Sequence, residues 1–114
     1  MESILTSIKK LIGISEEDAS FDVDLIIHIN TALFRLRQLA IGPASSFRIS
    51  SDAETWADLL GDTADYEAAK DYVYYKVKLA FDAGSLSSAV IEVIKETIKE
   101  LEFCLNVEAE SEVV

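Results

Sequence analysis

Apolar positions recur at helical spacing along most of the chain. Ile4, Leu5, Ile8, Leu11 and Ile12 share one face of a short first helix, and Gly13 stands where a glycine ends such a helix. Ser15-Glu16-Glu17-Asp18 has the form of a capping box and predicts a short further helical turn. A second helix is predicted from about residue 22 to residue 40. Its polar stripe is Asp24, His28, Thr31, Arg35 and Gln38. Nearly every other position is apolar: Leu25, Ile26, Ile27, Ile29, Ala32, Leu33, Phe34, Leu36 and Leu39. A stripe this wide predicts a helix covered on more than one side. Asp22 and Asp24 suit its positive N-terminal end, Arg35 and Arg37 its negative end. Gly42-Pro43 stops it.

Residues 44–50 alternate at Phe47, Arg48 and Ile49, which predicts a loop or short extended piece. Ser51-Asp52-Ala53-Glu54 reads as a second capping box, opening a short helix with Trp56, Leu59 and Leu60 up to Gly61. A fourth helix is predicted over about 64–82, with Tyr66, Ala69, Val73, Val77, Ala80 and Phe81 as core positions. Gly84 ends it, and Ser85-Leu86-Ser87-Ser88 supplies caps for a fifth. That helix carries Val90, Ile91, Ile94, Ile98, Leu101 and Leu105 on one face. Glu92–Lys95 and Glu96–Lys99 are placed to pair along the other. From Val107 the periodicity is lost, so residues 107–114 read as an acidic flexible tail. The prediction is an all-α bundle of four to five helices forming one domain over 1–106, with a loop or short extended segment between helices 2 and 3.

Composition narrows the function more than the fold. The chain has 114 residues, and half are hydrophobic, enough for one core without disulfides or a structural metal. The formal net charge is −11, from 21 acidic and 10 basic residues. Broad binding of a phosphate backbone needs clustered Lys and Arg, which this chain lacks, and an anionic membrane would repel it. The surplus is uneven: residues 61–114 hold twelve acidic against five basic residues. No secretion signal or membrane span is visible, which predicts a soluble cytosolic chain with a reduced thiol.

Candidate chemistry is sparse. A single cysteine, Cys104, excludes an internal disulfide and a cysteine-based zinc site. Cys104 reads as a buried inert thiol, since no neighbouring cation would lower its pKa. His28 is the only imidazole. A catalytic reading makes it a base held by Asp24; the preferred one is an exposed or interfacial helix residue. No calcium loop, Walker A or dinucleotide fingerprint occurs. The sequence therefore predicts no enzyme, no cofactor and no metal. Tyr72, Tyr74 and Tyr75 point in different directions on one helix, so at least one of them should meet solvent or a partner. With an almost wholly apolar second helix, they predict a protein that assembles.

Six segments in order resemble the small head–tail connector (adaptor, head-completion) proteins of long-tailed double-stranded DNA phages and prophages. They are Ile8-Lys9-Lys10-Leu11-Ile12-Gly13-Ile14; Phe21-Asp22 through Ile29-Asn30; Leu36-Arg37-Gln38-Leu39-Ala40-Ile41-Gly42; Thr55-Trp56-Ala57-Asp58-Leu59-Leu60; Tyr72-Val73-Tyr74-Tyr75-Lys76-Val77-Lys78-Leu79-Ala80-Phe81-Asp82; and Glu100-Leu101-Glu102-Phe103-Cys104-Leu105-Asn106. Ala40, Ala83-Gly84 and Phe103-Cys104 depart from the family's usual Gly, Pro-Pro and Trp-Arg. The resemblance implies a virion protein of the head–tail neck, assembled in the bacterial host cytoplasm. It implies a homo-oligomeric ring, commonly of about twelve copies, beneath the portal protein. Such a ring extends the DNA channel and meets a neck or tail-completion protein, without catalysis or cofactor.

The competing reading is a small acidic helical binding protein, a DNA mimic or adaptor, occupying a basic partner as monomer or dimer. On the ring reading, DNA passes without specific binding and no membrane is involved. Phe47, Arg48, Ile49, Trp56, Tyr74, Tyr75 and Val107 are then the expected oligomer or portal contacts, and Glu92, Glu96 and Glu100 the expected channel-facing acids.

Overall fold

The computed structural model describes residues 3–39, 47–60 and 66–113, with backbone only for Tyr66, Ala83 and residues 108–113. Among the described residues five α-helices follow in order: α1 (Ile4–Ile12), α2 (Asp22–Gln38), α3 (Trp56–Leu60), α4 (Tyr66–Asp82) and α5 (Ser88–Val113). A 3-10 turn, Ala83–Ser85, joins the last two. Among the described residues the one strand-like feature is an isolated antiparallel bridge between Ser3 and Thr55. The fold is an all-α bundle, as the pattern predicted.

α4 is the hub. It packs most extensively on α2 and α5 and also touches α1 and α3. Its buried Ala69, Tyr72, Val73 and Val77 meet Leu25, Ile29, Ala32 and Leu36 of α2 and Ile94, Ile98 and Leu105 of α5 in one core. α1 contributes Ile4, Leu5 and Ile8. Leu11, expected on that face, is 45% exposed. Ala80, expected in the core of α4, is also exposed. The expected core position Tyr66 has its side chain outside the described residues.

The helix ends show how local sequence sets the boundaries. The Ser3 hydroxyl caps α1 by accepting from the Thr6 amide. At the other end Gly13 has φ +95°, a left-handed conformation open to glycine at little steric cost. Its N–H bonds to the Lys10 carbonyl and the Ile14 N–H to the Lys9 carbonyl at 2.8 Å, closing a Schellman motif. Ser15–Asp18 forms a turn and not a helix: the Ser15 hydroxyl donates to Glu17 instead of capping a helical amide. α3 is capped by Thr55, not by Ser51. The Asp58 amide donates to the Thr55 hydroxyl oxygen and the Thr55 amide to the Asp58 carboxylate, a reciprocal box one turn later than predicted. Glu54 instead folds back on the Ser50 and Ser51 amides.

α5 continues to Val113, where a tail was expected from Val107. Residues 107–113 contain no helix breaker, and Ala and Glu are good helix formers, so lost amphipathicity does not end the helix. The predicted stops at Gly42-Pro43 and Gly61, the start of α4 at residue 64 and most of the 44–50 segment lie outside the described residues.

Candidate assembly surfaces

Polar contacts between helices fix which helix faces turn outward. Glu102 of α5 accepts from the Tyr72 hydroxyl of α4 at 2.7 Å. It also pairs with Arg35 of α2 at 3.2 Å. Arg35 reaches on to the Gln38 side-chain oxygen. One carboxylate thus ties the three largest helices. Burial works to raise the Glu102 carboxyl, but bonds from Arg35 and Tyr72 outweigh it and hold its pKa below the usual carboxyl range. Burial, then the adjacent carboxylate, pushes the Tyr72 phenol well above its ordinary value.

Asn30 makes a second tie, and this one is buried. Its amide donates to the Ile49 carbonyl at 3.0 Å and accepts from the Ile49 N–H at 2.8 Å, satisfying both backbone groups of one residue. Ile49, expected as a partner contact, is therefore buried. So is Trp56, whose indole N–H donates to the Ser7 hydroxyl at 2.8 Å. Both expectations are corrected: a five-residue helix has no periodicity to mark Trp56 as internal, and the partner of Ile49 lies nineteen positions away. Lys9, an ordinary surface residue by its type, is 3% exposed. Its ammonium lies 2.9 Å from the Asp22 carboxylate and donates to the Glu16 carbonyl, locking the α1–α2 corner.

The remaining expected contacts lie at or near the surface. Phe47 is half-buried and Arg48 exposed. With Asn30, Leu33, Phe34 and Arg37 they line a cavity of about 50 Å³. Tyr74 and Tyr75 are half-buried, with ring centres 5.0 Å apart, and both pack on the core. The third tyrosine of the cluster, Tyr72, is fully buried. Val107 is 44% exposed. Glu92, Glu96 and Glu100 are all exposed along α5, and Glu96 pairs with Lys99 at 3.7 Å.

Two helix faces carry apolar side chains out of the chain. On α2, Val23, Ile27 and Phe34 are 71%, 56% and 56% exposed. At 3.6 residues per turn they lie within roughly 40° of one another. This is the second side of α2 that the sequence predicted to be covered; its three apolar side chains are each more than half exposed. On α5, Val93, Phe103 and Val107 are exposed. They share roughly 100° of circumference with Glu96, Glu100 and Cys104, opposite the buried Ile94, Ile98 and Leu105. Cys104 is exposed, contrary to the expected buried thiol, because it falls on this outer face.

His28 lines a groove of about 220 Å³ between α2 and α4 with Thr31, Ala32, Lys76, Leu79 and Ala80. Among the described residues no group of three His, Cys, Asp or Glu side chains could hold a metal. No described helix is long and apolar enough to cross a membrane.

A family model described as phage connector protein matches residues 4–112. The chain belongs to that family. The connector is thus a structural phage protein. Comparison with curated proteins and with solved structures gave no match. The segments that carried the sequence resemblance are largely those that hold this connector together. Asn30, Trp56, Tyr72 and Glu102 each sit in one of them, and each makes a cross-element hydrogen bond.

Proposed function

We propose that this connector forms a homo-oligomeric ring beneath the portal, in about twelve copies. There it extends the DNA channel and meets the neck or tail-completion protein. Its role is structural, within the virion, after assembly in the host cytoplasm. The observation that carries this reading is the pair of faces with exposed apolar side chains, on α2 and on α5. A ring subunit needs two different surfaces, one for each neighbour, whereas a monomeric adaptor has no use for two. The family match supports the same assignment. The net charge of −11 favours passage of DNA without adhesion, since carboxylates near the path repel phosphates.

The test is to mix the purified chain with the cognate portal and follow mass by native mass spectrometry and electron microscopy. A closed ring of chains on the portal is expected. A chain that stays monomeric at all concentrations, with and without portal, overturns the reading in favour of a small acidic binding protein.

A further inference from the structure

We propose that the cavity edged by Arg37 and Arg48 receives the Phe103 face of α5 from a second copy of this chain. The inference rests on the ring reading above and names the two surfaces that would meet.

The cavity has apolar walls, Leu33, Phe34 and Phe47, and two exposed arginines at its edge; Arg37 is already engaged within the chain, and its five N–H donors leave room for a further carboxylate. The α5 face has the opposite character. Phe103, 71% exposed, stands on the same side as the exposed carboxylates Glu96 and Glu100. An aromatic ring suits the apolar walls, carboxylates suit guanidinium groups, and a guanidinium also favours the face of a ring. The Glu96–Lys99 pair is exposed on both sides, so it competes weakly for Glu96.

Charge decides how two copies would pair. A symmetric contact through the α2 face sets arginines against arginines, and one through the α5 face sets carboxylates against carboxylates; both are disfavoured. Only the unlike pairing, α5 of one copy on α2 of the next, matches charge. That contact leaves one face of each kind open at every step, so it propagates and closes into a ring if the rotation allows. Glu96 and Glu100 are thereby assigned to a subunit contact and not to a channel wall.

The test uses the full chain, with and without portal, by sedimentation velocity and native mass spectrometry. Arg37→Glu with Arg48→Glu in one variant, and Glu96→Arg with Glu100→Arg in another, should each weaken self-association by about 10-fold or more. Equimolar mixing of the two should restore it, in complexes that alternate the variants. Phe103→Ser, which keeps every charge, should also lose association while its thermal transition stays where it was. If the wild type assembles and all three variants assemble equally well, this pairing is overturned and the ring reading stands. If the wild type never assembles, both fail.

Discussion

The hydroxyl of Tyr72 donates to Glu102 at 2.7 Å across thirty positions of chain, joining α4 to α5. Arg35 holds the other carboxylate oxygen. Tyr72→Phe keeps the ring and the packing and removes only the donor. A hydrogen bond to a charged group contributes about 1.5–3 kcal/mol. Arg35 remains to share the carboxylate, so a loss near the lower end is expected. Urea unfolding should show a lower midpoint with an unchanged slope.

The same carboxylate gives the connector an acid limit. Folded Glu102 binds its proton more weakly than the unfolded chain does, because Arg35 and Tyr72 favour the charged form. Its contribution is therefore fully present above the ordinary carboxyl value of about 4.3 and is lost as pH falls through the lower folded value. Tyr72 acts at the other end. Its folded pKa is raised, so its contribution is present below about 10 and is lost as pH climbs from there toward the folded value. Glu102→Gln should flatten the dependence of stability on pH below about 4.3 relative to wild type. An unchanged acid limb would show that other carboxylates control it.

Asn30 should behave as a structural residue with a local signature. Asn30→Ala leaves the N–H and the carbonyl of buried Ile49 without their partners. Each such group costs about 1–3 kcal/mol unless water reaches it. The expected outcome is lower global stability together with faster amide exchange at Ile49 than at core amides of α4 such as Val73. Equal acceleration everywhere would mean that the segment does not open on its own.

Much of this was legible in the sequence, and the gaps have physical causes. Helices α1, α2, α4 and α5 announce themselves because each has enough turns for the 3.6-residue period to show. Gly13 marks its own conformation. The start of α3 was misplaced because Ser51–Glu54 and Thr55–Asp58 both fit a capping box, and only the folded chain shows which amides need acceptors. Trp56 and Ile49 looked like spare contacts because their hydrogen-bond partners are remote in sequence. Lys9 is hidden for a similar reason: a lysine reads as solvated until a carboxylate is found beside it. The exposed apolar side of α2 was visible only as excess apolarity. The sequence could state that the helix wanted two covers, but not which side the chain itself would leave open.

The Gly13 corner carries a further prediction. Gly13→Ala places a side chain at φ +95°, which L residues rarely adopt, although no atom stands within 4 Å of the new methyl. The cost is therefore conformational and not steric crowding, about 1–2 kcal/mol. Gly13→Asn should recover part of it, since asparagine tolerates left-handed backbone better than alanine. If alanine and asparagine were equally destabilising, strain at this residue would not be the cause.

Lys9 and Asp22 allow a test of how the α1–α2 corner is held. The Asp22 oxygen facing Lys9 is buried and takes no directed hydrogen bond among the described residues, so the ammonium at 2.9 Å is its compensation. Lys9→Met removes that compensation while keeping most of the volume. It should destabilise by about 1–3 kcal/mol, because one enclosed oxygen of a partly exposed carboxylate loses its compensation. In an Asp22→Asn background the same change should cost much less. The difference, a coupling of about 1–3 kcal/mol, is the quantity to measure by a double-mutant cycle from urea midpoints. Additive single changes would mean that the corner rests on the α1 core residues, Leu5 and Ile8, and not on the ion pair.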